Sequence, residues 1–355
     1  YVTIKRFQQL IISNLRGNMG SNSLSKTNWA LDYVKLIASV LILGLHALPI
    51  FRNVDANAFF GQWLFRLGVP LFLVSSGFYF NRMSQQTKLK YIKNIFIIYL
   101  IGTALYAPIF AKSITGIFDA IKIILFGYFH LWYLSSLLIA LVIIYLLDRF
   151  HCKLLYSKVL MILLILMGAL FDEYYRFIDI ALVRKIKIGL LMFGGGRSTI
   201  LFALPLLMIG GWISAREKIV FNLRKWIYLM LLFISLSLSI VEFLLLKNWL
   251  GDGVSLDVTL FNYLPAVFIV ILTFYLSRSK KCSIDSRYLR KSTDVFYIIH
   301  IWIITLVGRI LGLSYELRFA VSAVISLVFS LSIVWVFNWV KQKRIASDAL
   351  NNAPL

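Results

Sequence analysis

Residues 32–50 read DYVKLIASVLILGLHALPI. The run is apolar enough for a bilayer, yet Asp32, Lys35 and His46 interrupt it. Lys35 and His46 lie eleven residues apart. At about 3.6 residues per turn that is close to three turns, so a helix here puts both on one stripe. They stand roughly 16 Å apart along the axis at about 1.5 Å per residue. A charge in mid-bilayer costs at least about 2.5–3.5 kcal/mol, so the stripe is expected to face a cavity or a partner rather than lipid. The plainer alternative is a structural polar pair between helices.

Runs of similar character recur along most of the 355 residues. The chain is 60% hydrophobic and 15% charged, with a mean hydropathy of +0.84. Apolar stretches of about 20 residues are what bilayer spans require. No stretch is polar enough to form a soluble domain. The expectation is an all-α polytopic membrane protein, a bundle of about ten transmembrane helices. Spans are placed at 30–50, 62–80, 91–111, 131–148, 156–171, 198–214, 226–247, 258–277, 293–312 and 317–340. Residues 1–28 are read as a basic cytoplasmic tail rather than a signal peptide, 29–340 as the membrane domain, and 341–355 as a cytoplasmic tail.

The formal net charge of +22 invites a nucleic-acid reading, which the distribution of charge argues against. Of the 37 Lys and Arg residues, 24 fall on the tails and loops of one side and 12 on the other, with Lys35 inside a span. Cytoplasmic segments carry the excess of Lys and Arg, so both termini are expected in the cytoplasm; the resemblance given below implies a bacterial cell membrane. The basic side also attracts anionic lipid. Cys152 and Cys282 offer neither a disulfide framework nor metal-ligand spacing, and no metal is expected. No P-loop, GxGxxG, HExxH or GxSxG stands in a fitting context.

Orientation sets depth. His46, Arg66, His130, Arg197 and Glu242 fall in the outer half of the membrane; Asp32, Lys35, Arg82 and His300 fall in the inner half. Each has a plainer reading: Arg66 and Arg197 as snorkelling span ends, His130 as an interfacial anchor beside Trp132 and Tyr133, and His300 as a bridge between helices. Glu242 is a lone carboxylate that wants a partner, for which Arg66, Arg197 or His46 are the candidates. The set suits acyl transfer. A neutral histidine, His46, takes a proton from an attacking hydroxyl, and a carboxylate, Glu242, orients it. Lys35 and Arg82 hold the phosphates of an anionic donor from the inner side.

Several motifs together resemble one family. Asp32-x2-Lys35-x10-His46 resembles the first-helix motif of the type 3 acyltransferases, integral-membrane O-acyltransferases of bacterial surface glycans. Arg66-x-x-Val69-Pro70-Leu71-Phe72, leading to Ser76-Gly77-Phe78-Tyr79, is similar to their second-helix signature. His130-Leu131-Trp132-Tyr133-Leu134 and Tyr297-Ile298-Ile299-His300 also match. The likeness covers about 28–340. It departs after Gly77, where only Arg82 stands in place of the arginine pair of some members. Within the family, GGGRSTILFALPLLMIGGWI (194–213), Glu242 and HLWYL resemble the membrane half of the vancomycin-resistance serine racemases, which is associated with serine supply across the membrane. No racemase domain follows in the sequence as read, which favours acyl transfer.

The resemblance implies a ten-helix bundle. It would carry an acyl group, acetyl in the simplest case, from cytoplasmic acyl-CoA to a hydroxyl of an extracytoplasmic glycan or wall polymer. Acyl-CoA is a co-substrate, and no tightly bound cofactor is expected. His46 is expected to be catalytic, with Glu242. Asp32, Lys35 and Arg82 serve the donor; Arg66, His130, Arg197 and His300 serve the acceptor. The alternative is a carrier for a small amino acid such as serine, with Glu242 and Arg197 binding its two ends.

Overall fold

A computed structural model describes residues 28–152, 154, 157–178, 183, 185–187, 199–251, 255–279 and 286–351. Among them every regular element is helical. The main helices are α1 (Trp29–His46), α2 (Val54–Asn81), α3 (Gln85–Phe110), α4 (Ile117–Phe126), α5 (Phe129–Arg149), α6 (Lys158–Asp172), α7 (Thr199–Ala215), α8 (Lys225–Leu250), α9 (Leu264–Ser279), α10 (Arg287–Ile310) and α11 (Tyr315–Asn351). Seven of them, α1, α2, α3, α5, α8, α10 and α11, are long and apolar enough to cross a membrane.

Each of the ten runs read as spans falls on one of these helices. Three are shorter than a full crossing. The 15 residues of α6 reach only about 22 Å, against a hydrocarbon layer of about 30 Å. Sequence reading placed the start of the eighth span at 258, but α9 begins at Leu264. The preceding segment stays irregular because its backbone N–H groups go to side chains, as described below. The last helix runs on to Asn351, past the boundary at 340. An additional short amphipathic helix, α4, fills the connection between α3 and α5.

Two contacts make the bundle tight. In the crossing of α2 and α7, a Cβ at Gly77 would overlap the Leu207 carbonyl, and one at Gly210 would overlap the Val74 carbonyl. Only glycine lets these backbones meet, which is how helices associate where lipid removes the usual hydrophobic drive. The entry of each helix is also irregular. Residues Phe60–Leu64 form a π turn followed by a 3₁₀ turn at Phe65–Leu67; Thr199–Ala203 form another π turn. Pro70 and Pro205 explain both. Proline has no N–H for the carbonyl four residues back and crowds it, so the helix rewinds just upstream.

At the centre lies α1, packed against α2, α9 and α10. Asn28 caps it: the side chain accepts from Leu31 N at 3.0 Å. The same amide oxygen accepts from the Ser277 hydroxyl at 2.5 Å, pinning the start of α1 to α9. Two residues before His46, Gly44 leaves room for the Phe65 ring.

Candidate active site: an ionic cavity and an imidazole cluster on two helices

The sequence of α10 carries a ladder, Arg290, Asp294, Tyr297 and His300, at spacings of four, three and three. These spacings return to one face of a helix. Lys35, Ser39, Ile42 and His46 follow the same rule on α1. Each helix therefore offers a cation at one end and an imidazole about three turns on, and the two helices pack together.

At the cation end is a cavity of about 60 Å³ lined by Lys35, Arg290, Asp294, Ser76, Tyr91 and Thr293, with Tyr133 and Tyr297 at one wall. Asp294 lines this cavity and is exposed rather than packed away. Asp32 builds the cavity without lining it. Its carboxylate is 2% exposed and accepts two bonds from one edge of the Arg290 guanidinium, from Nε at 2.8 Å and Nη2 at 3.1 Å, and one from the Ser286 hydroxyl at 2.7 Å. A bidentate pair of this kind fixes a planar cation in space. The Lys35 ammonium sits 5.9 Å from the Tyr79 ring centre.

At the other end three of the four histidines meet. Ring centres are 5.4 Å apart for His46 and His300, 5.1 Å for His130 and His300, and 6.0 Å for His46 and His130. Tyr106 lies 4.7 Å from His130 and stacks on Trp302 at 5.8 Å. His130 reaches the cluster through a turn that needs glycine: Gly127 has φ +78°, and a Cβ there would strike the Leu131 backbone. Both ring nitrogens of His130, Nε2 of His300 and Nε1 of Trp302 are buried with no hydrogen-bond partner among the described residues. Buried polar atoms are rarely left so, and their convergence marks a place for a polar ligand. Tyr297 joins the two ends: it lines the cavity, donates its hydroxyl to the His130 carbonyl, and its ring lies 5.7 Å from that of His300.

The remaining sequence-derived residues fall elsewhere. His300, assigned to the inner half, belongs with His46 and His130. It lies more than three turns into α10 because that helix starts at Arg287, not 293. Among the described residues, Glu242 meets neither Arg66 nor His46. Its oxygens accept from Tyr174 Oη at 2.5 Å, Leu260 N at 2.5 Å and Phe261 N at 2.8 Å. Arg66 pairs with Asp257 and donates to Gly61 O at 3.1 Å, Gln62 Oε1 at 2.8 Å and Ser255 Oγ at 2.9 Å. Glu173 accepts from Asp257 N at 2.8 Å. Three side chains thus fasten the segment before α9. Burial, and the Asp172 carboxylate beside it, push the Glu173 carboxyl up from the ordinary range. Arg82 pairs with Glu217, covers the Phe78 ring and is not among the residues that line the cavity. Arg197 lies outside the described residues. Sequence reading missed Arg290 and Asp294 and quoted Tyr297 only within a motif, although the ladder spacing on α10 was there to be seen.

This arrangement defines a class: an all-α polytopic membrane protein with ionisable groups of two adjacent helices turned inward. The chain belongs to the type 3 acyltransferases, since the family profile described as "Acyltransferase domain" matches residues 28–339. It is similar to an amino-acid racemase of Enterococcus faecalis, 30% identical over 202 residues, which is 52% of this chain and 28% of that protein. It is also similar to a serine/alanine racemase of Enterococcus gallinarum, 26% identical over 127 residues, 31% of this chain and 18% of that protein. The matches span less than a third of either relative. No solved structure matches.

Proposed function

We propose that this acyltransferase works in a bacterial cell membrane, with both termini in the cytoplasm. It moves an acyl group, acetyl in the simplest case, from cytoplasmic acyl-CoA to a hydroxyl of an extracytoplasmic glycan or wall polymer. The observation that carries the reading is the pairing of a cationic cavity with an imidazole cluster along α1 and α10. Lys35 and Arg290 meet an anionic donor at one end. His46 deprotonates the acceptor hydroxyl at the other, and His130 and His300 complete the acceptor side. The test is acetyl-CoA-dependent labelling of surface polymer in cells carrying wild type or His46→Ala at matched membrane levels. Label is expected with wild type and about 10²–10⁴-fold less with the variant, the range for losing a general base. Equal label from both removes His46 from the reaction; no label from either defeats the reading.

One observation favours a second reading. The cavity holds charges of both signs, Lys35 and Arg290 against Asp294. That set complements a zwitterion, so a small amino acid such as serine fits it. On this reading Asp294 takes the duty that sequence reading gave to Glu242. Serine counterflow in proteoliposomes without acyl-CoA, lost in Asp294→Asn, supports the carrier; absence of counterflow with active reconstituted protein excludes it.

A further inference from the structure

His300 is held by its own helix. Its Nδ1 lies 2.6 Å from the carbonyl oxygen of Tyr297, one turn earlier in α10. A carbonyl only accepts, so the neutral ring carries its proton on Nδ1 and presents Nε2 as a bare lone pair. That Nε2 is buried and has no hydrogen-bond partner among the described residues. A ring held this way can take a proton but, while neutral, cannot give one to an oxyanion. With neither ring nitrogen engaged, His130 is open to both tautomers. The titratable groups around the pair are His130, Tyr106 and Tyr297.

We propose that His300 is the second station of a two-imidazole proton relay, receiving on Nε2 the proton that His46 takes from the acceptor hydroxyl. The proposal rests on the acyl-transfer reading above. The hydroxyl oxygen bonds to the acyl carbon, and the carbon–sulfur bond of the thioester breaks. The hydroxyl proton passes through His46 to His300. It then returns along the pair to the departing thiolate, so alcohol and thioester give ester and thiol. Two rings are needed for a physical reason. An imidazolium shielded from water is costly, and the Tyr297 carbonyl, already bonded to Nδ1–H, stabilises positive charge on His300. It takes the part that a carboxylate plays in a catalytic triad. Glu242, the carboxylate expected in that part, is held by Tyr174 and two backbone N–H groups.

The test uses cell envelopes that carry their own wall polymer, supplied with radiolabelled acetyl-CoA in mixtures of H₂O and D₂O. For wild type, the rate should curve downward with deuterium content, the sign of two protons in flight. His300→Asn keeps an N–H donor for the Tyr297 carbonyl and has no second ring nitrogen. It should lower kcat about 10²-fold with KM for acetyl-CoA unchanged, and the deuterium plot should become a straight line. If the variant does not reach the membrane, His300→Gln is read in the same way. A variant with the wild-type rate and the same curvature overturns the relay while leaving acyl transfer intact. Envelopes with no acetyl transfer from wild type overturn the acyl-transfer reading, and the relay with it.

Discussion

At the scale of single residues, the molecule rests on groups whose partners are fixed. Asp32 is buried and committed to Arg290 and Ser286. Asp32→Ala should cost about 1.5–3 kcal/mol, the range for hydrogen bonds to a charged group, and should appear as a lower thermal midpoint in detergent. Lys35→Ala leaves that pair in place. On the proposed function it should raise KM for acyl-CoA with less effect on kcat, measured with purified enzyme; an unchanged KM removes Lys35 from donor binding. Much of this was legible beforehand: the Lys35–His46 spacing predicted one inward stripe, and both residues lie on it. The depth of His300 was misread because Arg287, Arg290 and Lys291 depress hydropathy over the first turns of α10, hiding where the helix starts. The partners that Glu242 does show were unforeseen for a different cause. A lone carboxylate was matched to cations, whereas backbone N–H groups returning from a distant segment satisfy it, and those are invisible to side-chain pattern.

At the scale of elements, the crossing of α2 and α7 and the fastened segment before α9 carry the most specific consequences. Gly77→Ala forces two backbones apart, and overpacking of this kind costs about 1–3 kcal/mol. The expected result is a lower unfolding temperature and less monodisperse protein on size exclusion; an unchanged profile means that the crossing is looser than the geometry implies. Glu173 gives a pH dependence. Its carboxyl is raised in the fold, chiefly by burial, so the folded chain holds a proton that the unfolded chain has released. That contribution is fully present at acid pH and is lost as pH rises from the ordinary carboxylate range, about 4.3, through neutral. Thermal stability should therefore fall over that window, and Glu173→Gln should flatten the slope. A slope unchanged in the variant assigns the effect to other groups. Hydropathy found the ten apolar runs because burial in lipid is an average over many residues. It missed the π turns and α4, which depend on where single prolines and glycines stand.

At the scale of the whole molecule, orientation is the open test. Fusions at residue 355 and at the loop 215–225 should place a fluorescent protein and not alkaline phosphatase in its active form, because both segments are expected in the cytoplasm. The reverse result would invert the direction of transfer. One feature, the Tyr133 and Tyr297 wall at the edge of the cavity, bears on the cell at large. Their rings lie 5.3 Å apart, and Tyr297 is bonded across to the His130 carbonyl. A bacterium keeps its membrane as an electrical insulator, and water-filled paths through it discharge the gradient that drives ATP synthesis. On the proposed function, aromatic rings lining the charged cavity, with Tyr297 also beside His300, let a group be handed across the bilayer without a wire for ions. Vesicles containing wild type should hold an imposed pH gradient, and those containing Tyr297→Ala should lose it.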